Sequence, residues 1–206
     1  MRQLSVPLIF FFLLLGNCSE SERSLEVPIL GQTSTTFLGN TVCEKVPGFQ
    51  LTNQFGDMIS DKQFDNKIQV VDFFFTNCPT ICPVMTTHLK DVQDHFQNED
   101  KLAIISYSID VENDTPKQLQ SYAKHYEINT DQWSLVTGNQ EEIFQLAKGF
   151  KVRAFDDSFQ DENSLIHDGT FVLLDDQRRV RGYYNGLDKK DTQRLIEDIE
   201  KLLKTW

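Results

Sequence analysis

Two apolar patterns alternate along most of the chain. IQVVDFFFT (68–76) and KLAIISYSID (101–110) are near-continuous apolar runs rich in β-branched and aromatic residues, which predicts strands buried on both faces. PVMTTHLKDVQDHFQ (83–97) changes to helical spacing, with Met85, Leu89, Val92 and Phe96 on one stripe. PKQLQSYAKHYE (116–127) reads as a second helix, with Thr115 as its N-cap and Pro116 in its first turn. QWSLVTG (132–138) is a short strand and NQEEIFQLAKGF (139–150) a helix. TFVLLDDQRRVRGYY (170–184) splits at Asp175–Arg178 into a hairpin. LDKKDTQRLIEDIEKLLK (187–204) closes as an amphipathic helix with Leu195, Ile199 and Leu202 on one side. Upstream, PGFQLTNQFGDMIS (47–60) has two short alternating runs around a turn-like NQFGD, a hairpin signal. The order is hairpin, β, α, β, α, β, α, β-hairpin, α. Such an order predicts an α/β domain, a mixed sheet flanked by helices over residues 45–206.

The first 44 residues follow a different pattern. LSVPLIFFFLLLG (4–16) is apolar but shorter than the roughly 20 residues of a comfortable membrane span, and it suits the hydrophobic region of a signal peptide over 1–17. It runs into LGNC, which resembles the lipobox of bacterial lipoproteins, with Asn17 where a small residue is usual. That resemblance implies lipidation of Cys18 and a tether over 18–44, rich in Ser and Thr from residue 19 to about 40. The alternative is an uncleaved, slightly short membrane anchor. Either reading puts the domain outside the cytoplasm, tethered to a membrane of the bacterial cell envelope. The net charge of −11 repels phosphate backbones and argues against a nucleic-acid partner. Four cysteines, at 18, 43, 78 and 82, are too few for a disulfide-built scaffold. Cys43 has no evident partner and reads as a small buried hydrophobe.

The remaining two cysteines carry chemistry. FTNCPTICPVM (75–85) follows a predicted buried strand, where a thioredoxin-like fold keeps its active-site dithiol. Pro83 predicts that the helix begins near Cys82, since proline is tolerated in a first turn and rarely further in. Cys78 and Cys82 then project together from a helix N-terminus, whose dipole favours thiolate. Three readings are open. The pair can be a structural disulfide, although so small a loop stabilises little. It can be a redox dithiol forming a reversible Cys78–Cys82 bridge. It can be a soft-metal site for Cu(I) or Zn, or for copper in either oxidation state if an imidazole joins. Of four histidines, His88 and His95 lie on the following helix and His125 near an exposed helix end. His167, in NSLIHDGTFVLL, sits in a polar loop before a buried strand.

FFFTNCPTICPVM, SIDVENDTPKQLQSYAKHY and LIHDGTFVLLDDQRRVRGYY together resemble the Sco/SenC family of copper proteins, across residues 45 to 204. The resemblance implies a thioredoxin-like domain that binds copper through Cys78, Cys82 and His167. It also implies membrane tethering and a role as metallochaperone for the Cu(A) centre of cytochrome c oxidase, or as a thiol-disulfide reductant of that oxidase subunit. The family's Asp-Pro is replaced here by Asp110-Val111. General thioredoxin-type oxidoreductases keep a CxxC dithiol and a cis-proline in the facing loop, where 157–171 offers His167 and no proline. Peroxiredoxin-like peroxidases need a Thr or Ser shortly before the reactive cysteine, and Thr76 alone meets that need.

Overall fold

The computed structural model describes residues 27–30, 33–35, 41–43, 45–156 and 165–205. Its elements are β1 (Thr33–Thr35), β2 (Thr41–Cys43), β3 (Gln50–Asn53), β4 (Met58–Ser60), β5 (Ile68–Phe74), α1 (Cys82–His95), β6 (Leu102–Ser108) and α2 (Pro116–His125). There follow β7 (Trp133–Thr137), α3 (Gln140–Gly149), β8 (Ala154–Asp156), β9 (Leu165–His167), β10 (Thr170–Leu174), β11 (Val180–Asn185) and α4 (Lys189–Lys204). Seven strands form one sheet in the order β11-β10-β5-β6-β7-β3-β4. β5, β6 and β7 run parallel, and antiparallel hairpins flank them on both sides. This is the mixed α/β sheet that the alternation of patterns predicts.

Every residue of β5 and β6 is buried, as their near-continuous apolar runs predict. Side chains alternate between two cores. Ile68, Val70 and Phe74 enter one with α1, α2 and α4, while Val71 and Phe73 enter the other with α3 and the β3–β4 hairpin. The parallel crossovers from β5 to β6 and from β6 to β7 carry α1 and α2, and both helices pack into the same core. The α1 stripe of Met85, Leu89, Val92 and Phe96 is buried there, so Leu89→Ala would cost about 2 to 5 kcal/mol. Thr115 caps α2, its hydroxyl accepting from the Gln118 amide at 3.3 Å.

Packing begins earlier than Lys45. Val27 is 5% exposed within the α1–α4 core, the Leu30 amide donates to the Val180 carbonyl at 2.7 Å, and Arg181 Nε donates to the Val27 and Pro28 carbonyls, each at 3.1 Å. The stretch read as a polar tether over 18–44 therefore includes VPIL, docked through the Val27 side chain and its backbone with Ile29 and Leu30 exposed, and the paired β1 and β2. Their partners lie far along the chain or span only three residues, so no local period marks them. The apolar stretch 4–16 and Cys18 lie outside the described residues, as does the side chain of Cys43. Among the described residues, no helix is long and apolar enough to cross a membrane.

Candidate metal centre

The chain leaves β5 at Phe74, turns with the Cys78 amide donating to the Phe75 carbonyl at 3.3 Å, and enters α1 at Cys82 with Pro83 in the first turn. This exit is held by a buried carboxylate. Asp114, 0% exposed, accepts the Thr76 amide at 3.0 Å, the Thr76 hydroxyl at 2.5 Å and the Ser108 hydroxyl at 2.5 Å. Gln118 donates to the same Thr76 hydroxyl at 3.2 Å. Thr76, the residue that kept a peroxidase reading open, is thus engaged with Asp114 and Gln118.

His167 arrives from the other side. The sequence predicts a loop there; the structure has a two-stranded ribbon, β8 paired antiparallel with β9, and His167 is its last residue, opposite Ala154. Three-residue strands are too short to leave a period-2 signal, so the pattern concealed them. Gly169 turns the chain into β10 with φ +72°, a conformation that L side chains rarely adopt. The Gly186 amide donates to the Gly169 carbonyl at 2.8 Å, and a Cβ on Gly186 would stand 2.8 Å from that oxygen and 2.7 Å from the Phe171 ring. His88 completes the brace, its Nδ1 donating to the Gly186 carbonyl at 2.7 Å.

These supports bring Cys78, Cys82 and His167 together, each with a ligand atom within 4.8 Å of the others. They are 7%, 1% and 8% exposed. Both thiols are free. His167 Nε2 lies 3.2 Å from Cys82 Sγ, and the Phe75 ring meets the imidazole edge-on at 5.8 Å between centroids. Hydrogen bonding from the Cys82 thiol holds Cys78 well below the ordinary thiol range; burial opposes this, and His167 and the Cys82 and Thr80 amides assist. The same bond, then burial, pushes Cys82 up. The pair is a thiolate with a thiol donor, and the partner sulfur contributes more to this than the helix terminus that the sequence suggested. His167 Nδ1 is buried with no hydrogen-bond partner. Two sulfurs and one imidazole nitrogen, all buried, are a donor set for a soft or borderline metal such as copper or zinc.

The other histidines are elsewhere. His88 braces Gly186, His95 pairs with Glu200 at 3.0 Å, and His125 lies edge-on to Tyr126. Two buried carboxylates lie near the centre that sequence reasoning gave no role. Asp114 entered it only within SIDVENDTPKQLQSYAKHY, a segment of the family resemblance, because its partners become neighbours only on folding. Asp72 did have a local signal, a single charge inside the apolar run IQVVDFFFT. Burial raises its pKa to about 7, with the Ser106 hydroxyl and His167 pulling the other way.

A protein-family model described as SCO1/SenC matches residues 39–204. The chain belongs to the SCO1/SenC family. Among its relatives, the SCO1 protein homolog of Bacillus subtilis (strain 168) is 37% identical over 159 residues, 76% of this chain and 81% of that protein. BsSco, described as a member of the Sco family of cytochrome c oxidase assembly proteins with a disulfide switch, superposes with TM-score 0.68 at 35% identity. It covers 79% of this chain and 95% of its own. Bradyrhizobium japonicum ScoI, solved with copper bound, shares the fold at TM-score 0.65 and 24% identity, over 77% of this chain and 99% of that one. The thioredoxin-like architecture of this SCO1/SenC chain is therefore that of its structural neighbours.

Proposed function

We propose that this SCO1/SenC chain is a membrane-tethered copper metallochaperone that assists assembly of the Cu(A) site of cytochrome c oxidase, with copper as its cargo. The observation that carries the reading is the buried convergence of two cysteine sulfurs and one imidazole within 4.8 Å. Cys78 is held as a thiolate, ready to accept a metal, and Cys82 gives up its proton on binding. Two thiolates suffice for Cu(I), while His167 supplies the nitrogen that Cu(II) requires. All three are buried, and the Phe75 ring packs edge-on against the imidazole. The copper-bound ScoI and the oxidase-assembly role of BsSco support cargo and recipient. LGNC supports anchoring through a lipid on Cys18 at the bacterial cell envelope, facing out of the cytoplasm. Copper titration of the reduced domain, with thiols counted in parallel, tests the site; mass spectrometry of the mature chain tests the lipid.

A second reading has its own observation. A thiolate whose partner is a hydrogen-bonded thiol is arranged for disulfide exchange, so the pair can act as a thiol-disulfide reductant of the oxidase subunit. His167→Ala separates the two readings, because exchange needs sulfurs and access, not imidazole.

A further inference from the structure

The Asp72 carboxylate lies in the layer beneath the metal centre. Strand alternation sets its direction: Val70 and Phe74, two residues to either side, enter the apolar cluster that holds Cys78 and Cys82. Asp72 is 3% exposed. Across the parallel ladder its partner is Ser106, whose hydroxyl donates to Asp72 Oδ1 and accepts the Trp133 indole N–H at 2.8 Å. Its charge acts on both His167 and Cys82. Ser106 meets one oxygen of this carboxyl, yet Val70 and Phe74 on the same strand face are apolar, and burying an ionisable group is unfavourable.

We propose that Asp72 is a positioning charge that sets the redox preference of the centre, biasing bound copper toward Cu(II) and the cysteine pair toward the disulfide. The copper half rests on the function proposed above; the disulfide half does not. Cu(II) held by two thiolates and a neutral imidazole is uncharged overall, and one electron from an external reductant makes it −1. The metal-free disulfide takes two electrons and one proton from a thiol reductant, giving the Cys78 thiolate and the Cys82 thiol, again a gain of one negative charge. Each reduction adds that charge to a buried centre whose His167 and Cys82 already feel the charge of Asp72. At an effective dielectric of about 20, two unit charges move an equilibrium by tenfold or more at any separation under roughly 12 Å.

The test compares the wild type with Asp72→Asn, Asp72→Leu and Asp72→Glu at pH 8, above the titration of the carboxyl near 7. One readout is the ratio of Cu(I) to Cu(II) affinity by competition with chromophoric chelators. The other is the metal-free dithiol–disulfide equilibrium in graded thiol buffers. Both neutral variants should favour Cu(I) at least tenfold more than the wild type, about 59 mV for one electron, and retain the thiolate-to-Cu(II) charge-transfer absorption. Their disulfide should be at least tenfold easier to reduce, about 30 mV for two electrons. Asp72→Glu should stay within threefold of the wild type in both. If Asp72→Asn fails to fold, Asp72→Leu, which matches its apolar neighbours, decides. Neutral variants within threefold of the wild type would overturn the proposal, as would a Glu variant that shifts as far as Asn. A wild-type chain that binds no copper would sink the metallochaperone reading and leave Asp72 to be judged on the disulfide couple.

Discussion

Two buried polar clusters sit side by side where β5 and β6 end, and they are built on opposite rules. Around Asp114, each carboxylate oxygen accepts at least one hydrogen bond, the donors being the Thr76 amide and hydroxyl and the Ser108 hydroxyl. Around Cys82, the donors are soft, one ring nitrogen of His167 has no partner, and the hydrogen bonding runs between the two sulfurs. Leaving a buried polar group unpaired costs about 1 to 3 kcal/mol. A protein that satisfies one cluster and leaves its neighbour short of partners has a scaffold in the first and a binding site in the second. Their contact is covalent, since Thr76, held by Asp114, lies two residues before Cys78.

The largest expected effect lies in the second cluster and spares the first. Cys78→Ser or Cys82→Ser should lower copper affinity by roughly a thousandfold, about 4 kcal/mol, while shifting unfolding free energy by no more than about 2 kcal/mol. Competitive titration and urea unfolding read the two quantities. Single mutants that still bind one copper as tightly as the wild type would move the centre elsewhere. The reverse pattern is expected of Asp114→Ala. It strands the Thr76 amide and two hydroxyls and should destabilise the fold by about 3 kcal/mol, with copper affinity reduced by less than in either cysteine mutant. An unfolding midpoint unchanged in urea would mean that the cluster is not the scaffold argued here.

Asp72 belongs to neither rule, and pH separates it from both. Its folded pKa of about 7 stands above its unfolded value of 3.8. A carboxyl shifted upward is held protonated by the folded state, so its contribution to stability is complete below pH 4 and is lost as pH rises to about 7. Asp72→Asn cannot ionise and should escape that loss. Relative to the wild type, the metal-free variant should gain about 2 kcal/mol between pH 4 and pH 8, less than the full shift implies because the site relaxes. Thermal unfolding at several pH values measures it, and a constant difference across that range would place the titration of Asp72 outside the window.

How much of this was legible beforehand depended on whether the signal was local. β5, β6 and the α1 stripe announce themselves because burial on both faces, or on one helical stripe, imposes a period on adjacent residues. The start of α1 at Cys82 followed from the ring of Pro83. By contrast, the Val27 anchor and the Thr76–Asp114 clamp join residues far apart in sequence, and the β8–β9 ribbon has strands of only three residues. The meeting of His167 with the two cysteines was legible in its place just before a buried strand, where the other three histidines fall on helices, and through the family resemblance. The cause of the Cys78 shift could not be read at all, since it depends on where the Cys82 sulfur points.

The smallest expected change in stability, and the most selective change in chemistry, is His167→Ala. Its imidazole is buried with Nδ1 unpaired, so removing it relieves one cost while losing packing against Phe75, and the net should lie within about 1 kcal/mol of zero. Thiolate-to-copper charge transfer in the Cu(II) form should disappear, because two sulfurs alone hold that ion poorly, whereas Cu(I) tolerates two-coordinate sulfur and should still bind. The Cys78–Cys82 disulfide should form and be reduced by small thiols at a comparable rate, since the thiolate owes its low pKa chiefly to Cys82 and only secondarily to His167. Absorption spectra of the Cu(II) form and thiol kinetics of the metal-free form read these separately. An unaltered Cu(II) spectrum would remove His167 from the centre, and with His88 already committed to the Gly186 carbonyl, it would leave the contrast between the two clusters without its metal half.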